Sequence, residues 1–191
     1  MNEFAAALDG WEWDVALLQE VPPWWPGMLA QGAQWRVRRT SRNLGLPLRR
    51  AISARNPDVL KSNGGGCNAI LVREGSILLH AWARLCVWPE RRYVHGLRLA
   101  DGWVVNVHAS TGAGARADSE RAAATALRWA DGAPLLFGGD VNLRGQPDLP
   151  GLHRLGGNHV DHLYSSRAVD ARVEVLERGR LSDHPPVRVS F

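Results

Sequence analysis

Three short, continuous apolar runs, each closed by polar residues, constrain this chain most. Val15-Ala16-Leu17-Leu18 ends in Gln19-Glu20, Trp103-Val104-Val105 leads into Asn106-Val107-His108, and Leu135-Leu136-Phe137 ends in Gly138-Gly139-Asp140. Runs of this length, without helical spacing, are the pattern of strands buried on both faces. A fourth polar segment, Ser182-Asp183-His184, stands before the apolar C-terminal run Pro186–Phe191. Further strands are expected at Gln34–Thr40, Asn68–Val72, Ala81–Trp88, Tyr93–Leu99, Val160–Tyr164 and Ala168–Leu176. Asp101-Gly102 is expected to turn a hairpin.

Helical signals are fewer. Met1–Asp9 is expected to be a helix closed by Gly10. Ala115–Ala130 is the clearest, with Ser110 or Thr111 opening the turn before it and Asp118 and Glu120 near its positive end. Ala123, Leu127 and Ala130 share one face, and Gly132 is expected to stop it. Leu44–Arg55 reads as a short helix or a basic loop, and Asn63–Gly66 as a turn. Strands outnumber helices, which predicts an α/β fold with sheets packed face to face and helices outside. At 191 residues, without repeats or a long linker, the chain is read as one domain, 1–191, burying roughly 70% of its unfolded surface.

No apolar run approaches the ~20 residues of a membrane span, and no signal peptide is evident. Cys67 and Cys86 are too few for a disulfide framework or a four-ligand zinc motif. A reduced, cytoplasmic setting and a monomer are the expectation. Charge is uneven. Between Val21 and Pro57 there is no acidic residue, while Arg36, Arg38, Arg39, Arg42, Arg49, Arg50 and Arg55 all fall there. A one-sign segment attracts polyanions, and the arginine fork suits phosphate oxygens. Arg36, Arg38, Arg39 and Arg42 are therefore candidate phosphate contacts. Trp24-Trp25 is a candidate wall for a groove that stacks a base.

Charged groups at the rims of buried strands are costly unless solvated, paired or on a metal. Carboxylates such as Glu20, Asp140 and Asp183 are hard oxygen ligands that suit magnesium or manganese. Other chemistries fit less well. Ser182, Asp183 and His184 are adjacent and cannot form a triad with one another, and Gly64-Gly65-Gly66 lacks a phosphate-loop ending. Cys67 reads as a small buried side chain, and His80, His95, His153 and His159 as structural or surface groups.

Five ordered motifs carry a resemblance: Leu18-Gln19-Glu20-Val21, Asn106-Val107-His108, Gly138-Gly139-Asp140-Val141-Asn142, Val160-Asp161-His162 and Leu181-Ser182-Asp183-His184-Pro185-Pro186-Val187. Together they resemble the endonuclease/exonuclease/phosphatase superfamily, over nearly the whole chain. The resemblance implies a four-layer α/β sandwich of two packed, mostly antiparallel sheets with outer helices. It implies a magnesium- or manganese-dependent phosphoesterase, above all a phosphodiesterase on nucleic acid. Glu20 would be the main metal ligand, aided by Asp183. Asp140 would align and activate water, and Asn142 would hold the phosphate or that water. His184 would face the scissile phosphate with Asp161 fixing its tautomer. His108 would be a second phosphate contact or a proton donor.

Members of the superfamily begin with a strand ending in Trp-Asn or a similar pair. Here the first helix starts at once, so the fold is expected to lack that first strand. The intact later motifs favour a coding start upstream of Met1; the other expectation is a truncated product. The rival functions are a phosphomonoesterase, a sphingomyelinase-like lipid phosphodiesterase, or a non-catalytic remnant that binds nucleic acid or a protein partner.

Overall fold

A computed structural model describes residues 2–30, 32–40, 66–88, 90–179 and 182–191. The expected element Leu44–Arg55, most of the expected turn Asn63–Gly66, Leu181, and Arg42, Arg49, Arg50 and Arg55 lie outside these residues.

The elements run α1 (Asn2–Gly10), β1 (Val15–Val21), α2 (Trp25–Leu29), β2 (Gln34–Arg39), β3 (Cys67–Val72), β4 (Leu79–Cys86), β5 (Arg92–Leu99) and β6 (Gly102–His108). A 3-10 turn at Gly112–Gly114 leads into α3 (Ala115–Ala130). There follow β7 (Leu135–Asp140), β8 (His153–Asn158), β9 (Asp161–Ser165), β10 (Arg172–Val175) and β11 (Val187–Ser190).

The largest sheet has six strands in the order β4-β5-β6-β7-β9-β8. All its pairs are antiparallel except β6 with β7. That parallel pair needs a crossover, which α3 supplies by packing across β4 to β7. The alternation along the strands explains the two faces. Val105, Val107, Leu135 and Phe137 join α3 residues Ala122, Ala123, Ala126 and Ala130 in one core, while Val104 and Leu136 point the other way. Alanine on the inner face lets the helix lie close to the sheet.

On the opposite face lie two smaller sheets, ordered β1-β3-β2 and β10-β11. Every residue of β3 is buried, because it sits between β1 and β2 and between two layers. Leu8 of α1 and Leu29 of α2 cover the outside of this sheet, with Phe4, Trp25, Ala16 and Leu18 packed around them. Helices, smaller sheets, large sheet and α3 therefore make four layers, the sandwich expected from sequence. Among the described residues, the two smaller sheets do not pair with each other.

Several details differ from expectation. The β5–β6 hairpin turns on Ala100-Asp101, and Gly102 already pairs with Leu99. Gly102 has φ 155, and a Cβ there would lie 2.4 Å from the Pro134 carbonyl oxygen. Thr111 opens the 3-10 turn before α3 as expected, without a side-chain cap. Gly114 occupies the N-cap, and buried Asp118 instead accepts a hydrogen bond from the Ser110 N–H at 3.1 Å. Asp131, in the left-handed region at φ 46, ends the helix before Gly132 does. Two elements are unforeseen: α2 and the glycine-bearing edge strand β8. Among the described residues, no helix is long and apolar enough to cross a membrane.

Candidate active site

Sheet register builds the centre of the site. His108 is opposite Asp140 across the parallel β6–β7 pair, and Asp140 is opposite Asp161 across the antiparallel β7–β9 pair. Three titratable groups thus stand in a row at one end of the large sheet. Gly139, at φ 124, lets β7 run close to its neighbour; a Cβ there would lie 2.3 Å from the Val107 carbonyl oxygen. The Asn142 backbone N–H donates to Asp140 Oδ1 at 2.8 Å, and its side-chain amide donates to the Ala109 carbonyl at 3.0 Å. Asn142 itself is in the left-handed region at φ 53.

His184 completes the row from the segment before β11. Its Nδ1 lies 2.9 Å from Asp161 Oδ2. Arg178 holds that segment by donating to the Ser182 and Asp183 carbonyls at 3.0 and 3.2 Å. Asp140, Asp161 and His184 offer three ligand atoms all within 4.8 Å of one another.

Glu20 approaches from β1. The β1–β3 register shifts between Leu18 and Val21, and Glu20 takes φ 55 in that irregularity. Gly66 packs on it so closely that a Cβ would be 2.6 Å from Glu20 Cα. The Glu20 carboxylate lies 3.8 Å from His108 Nδ1, while His108 Nε2 lies 3.5 Å from Asp140 Oδ2. His108 therefore separates the two carboxylates. Beneath them, buried Asn106 donates to the Leu18 and Ala69 carbonyls at 3.0 and 2.9 Å and accepts from Gln19 at 2.7 Å. Gln19 and Asn106 join the two facing sheets under the site.

Burial and charge tune these groups. Burial pushes the Asp140 carboxyl up to about 6, helped by the neighbouring Asp161 charge and opposed by the Asn142 N–H, His184 and Arg92. Asp161 is raised as well, mainly by burial, with His184 pulling the other way. Burial, then Arg92, then His184 drive His108 down to about 3, so its ring is neutral at pH 7. Burial takes the Cys67 thiol up to about 12, which suits an inert packing residue.

The structure gathers Glu20, His108, Asp140, Asn142, Asp161 and His184 around one cavity of about 2380 Å³. Asp183 also lines it, but is exposed and stands outside the Asp140–Asp161–His184 group. Arg36, Arg38 and Arg39 do not line it. Arg38 instead stacks over the Trp82 and Tyr93 rings at 3.5 and 4.3 Å, which commits its guanidinium to packing. Arg36 is exposed on β2 and donates to the Trp35 carbonyl. Of these arginines, Arg38 is the one that β2 places over Trp82 of β4 and Tyr93 of β5. Arg91, Arg92, Arg172, Arg178 and Arg188 line the cavity. Trp24 lines the cavity; Trp25 lines it too, but also packs against Phe4 with ring centroids 5.8 Å apart.

Two residues of note escaped sequence reasoning. Arg92 is only 8% exposed. Its Nη1 lies 2.8 and 2.6 Å from the two His108 ring nitrogens and 3.6 Å from Glu20. Trp88, 78% exposed, stands at the cavity mouth in the β4–β5 loop. The adjacent Arg91-Arg92 pair and an unpaired tryptophan after a strand were the only signals.

The layered fold is the one that the resemblance to the endonuclease/exonuclease/phosphatase superfamily implies, and solved structures share it. Solved structures with the same fold include a mannosyl-6-phosphatase of Bacteroides thetaiotaomicron (15% identity, TM-score 0.71, 99% of this chain and 90% of that one). TDP2 of D. rerio complexed with a single-strand DNA product also superposes (12%, TM-score 0.64, 97% and 88%). So does the human Nocturnin catalytic domain with bound sulfate (15%, TM-score 0.59, 100% and 87%). Neither a protein-family model nor a curated protein sequence matches the chain.

Proposed function

We propose that this protein is a divalent-cation-dependent phosphodiesterase acting on nucleic acid. The observation that carries the reading is the His108–Asp140–Asp161 row closed by His184. Its chemistry is that of water attack on a phosphate ester. Asp140 has an oxygen held by the Asn142 N–H and a carboxyl raised to about 6, suited to taking a proton from water near neutral pH. His184, with Asp161 on Nδ1, is left with Nε2 to meet a phosphate oxygen. Neutral His108, backed by Arg92, can offer a hydrogen bond but is a poor proton donor. Arg91 and Arg178 add positive charge for the phosphates on either side.

The donor set fits a hard dication. Asp140 and Asp161 are both pushed up by burial, and repulsion between them adds to the shift in Asp140, which a cation would relieve. His184 Nδ1 is already engaged by Asp161, so the Asp140 and Asp161 carboxylates would hold the ion, with Glu20 and Asp183 on the same cavity. Magnesium or manganese there would offset charge on the phosphate and lower the pKa of bound water.

Nucleic acid is favoured by the arginines around the cavity and by exposed Trp88 at its mouth. The likeness to TDP2 bound to a DNA product supports the same choice. A sugar phosphate monoesterase is the second reading, favoured by the TM-score of 0.71 to the mannosyl-6-phosphatase. The test incubates the protein with magnesium and end-labelled single-stranded DNA, RNA or mannose 6-phosphate. Shortened oligonucleotides, lost in Asp140→Ala and His184→Ala, are expected. Phosphate release from the sugar alone would favour the second reading, and equal turnover by both variants would overturn both.

A further inference from the structure

β2 and β4 are edge strands of two facing sheets and lie on the same side of the sandwich. β2 packs over β5, so one face of β4 projects past it as a shelf. His80, Trp82 and Arg84 alternate onto that face, opposite Leu97, His95 and Tyr93 of β5. Leu97 belongs to the core between the sheets, which fixes the direction of the face. Trp82 is nonetheless 51% exposed, and Arg84 is exposed beside it.

β2 forms the wall of the shelf. Arg36 and Arg38 are opposite Ile70 and Asn68 of β3, and Ile70 faces the same core, so both arginines lean toward the large sheet. Arg38 stacks over Trp82 and braces its ring. Arg36 is exposed, and with Gln34 and His80 it lines a cleft of about 480 Å³. Among the described residues, no carboxylate pairs with Arg36, Arg38 or Arg84. A positive wall without counter-charge attracts a polyanion.

The shelf has a direction. Gln34 donates to the Gly75 carbonyl at 2.6 Å and accepts from the Ile77 N–H at 3.3 Å, so the turn between β3 and β4 closes one end. The other end leads to the large cavity. β2 ends at Arg39 opposite Cys67, next to the Gly66 that packs on Glu20. β4 ends at Cys86 opposite Arg92, the residue that meets His108. Thr40, Val87 and Trp88, just beyond the two strand ends, all line the cavity. The chain from Trp82 to Trp88 covers at most about 20 Å.

An exposed indole between arginines suits a partner that carries flat rings and phosphates together. Aromatic faces stack bases of any sequence, and the arginine fork holds phosphate oxygens. An acidic peptide would satisfy the arginines but gives the indole no flat partner. We propose that this shelf, with Trp82, Arg36 and Arg84 as its contacts, is a second binding surface for single-stranded nucleic acid, holding the strand where it runs out of the large cavity past Trp88. The inference extends the nucleic-acid reading above and rests on it for the class of partner.

The test measures fluorescence anisotropy of labelled single strands of about 4 and about 16 nucleotides. Divalent ions are left out, so binding is read without turnover. The parent is compared with Trp82→Ala, Trp82→Phe and Arg84→Ala. The longer strand should bind the parent more tightly than the shorter. Trp82→Ala should weaken the longer strand by roughly 5- to 150-fold, and Trp82→Phe should recover part of that. Arg84→Ala should flatten the dependence of log Kd on log salt by about 0.7. Affinity for the shorter strand, and magnesium-dependent turnover of bis-(p-nitrophenyl) phosphate, should stay at parent values. A 5-iodouracil strand should crosslink within residues 79–86. Such binding without any cleavage of oligonucleotides would uphold the shelf and sink only the activity. Parent-like binding of the longer strand by Trp82→Ala and Arg84→Ala would overturn the shelf, even where oligonucleotides are cleaved. So would self-association that Trp82→Ala abolishes in sedimentation, which would assign the surface to a second copy.

Discussion

Asp161 meets His184 at 2.9 Å, joining the edge of the large sheet to the segment that precedes β11. The pair fixes which imidazole nitrogen faces the cavity. Asp161→Asn keeps the shape but removes the carboxylate that holds His184 Nδ1. Its kcat on an oligonucleotide is expected to fall by about 10²–10⁴-fold. The His184→Ala loss should be similar, and the double variant should be little worse, because the two act as a unit. Steady-state kinetics on the three variants checks this; additive losses would show separate roles.

The raised carboxyl of Asp140 has a consequence for stability with a definite sign. Its folded pKa of about 6 lies above the ordinary 3.8. Between those values the folded state binds more protons than the unfolded one, so stability falls as pH rises through that window. The ionised group thus opposes folding at neutral pH by up to about 3 kcal/mol. Asp140→Asn is expected to raise the Tm at pH 7, to leave it nearly unchanged at pH 4, and to abolish turnover. Thermal melts at both pH values, without a divalent ion, decide it.

Addition of magnesium should act on the same groups. If the carboxylates hold the ion, saturation at a hundred times Kd stabilises by about 2.7 kcal/mol. The gain is expected at pH 7 and to shrink toward pH 5, where Asp140 is protonated. Melting curves with and without magnesium at the two pH values measure it, and an equal gain at both would place the ion elsewhere.

Glu20 combines a strained backbone with a place on the proposed site. Its φ of 55 is a conformation that glycine adopts without penalty. Glu20→Gly is therefore expected to be more stable than Glu20→Ala by about 1 kcal/mol, while both lose activity. Urea denaturation of the pair isolates the backbone contribution, because both remove the same carboxylate.

The row of titratable groups was legible because it closes buried strands. Continuous runs such as Leu135–Phe137 need no partner to be read as strands, and the next polar residues then fall at a sheet rim. Pairing across the sheet was not legible, so the contact of Asp161 with His184 came only through family resemblance. β8 escaped because Gly156 and Gly157 look like a loop. In the structure their missing side chains admit Val173 and the His162 ring; a Cβ at either would come within 2.2 Å of them. The placement of the arginines was not legible for a related reason. A one-sign segment shows where charge lies along the chain, not which face of β2 it takes, and stacking on Trp82 claims Arg38. Arg92 had no motif of its own, and its importance comes from lying opposite the rim of β6.

Trp88 provides the sharpest separation of substrate classes. An indole 78% exposed at the mouth of a cavity loses nothing in the fold when it is removed. Stacking a base on such a ring is worth about 1–3 kcal/mol. Trp88→Ala is therefore expected to raise KM for single-stranded DNA or RNA by roughly 5- to 150-fold, with kcat and Tm little changed. A small ester such as bis-(p-nitrophenyl) phosphate reaches the catalytic row without a neighbouring base, so its turnover should hold. Trp88→Phe should recover part of the loss, since a smaller ring still stacks. Parallel kinetics on the two substrates checks this. An equal effect on both would make Trp88 a support for the β4–β5 loop and Arg92, rather than a contact for nucleic acid.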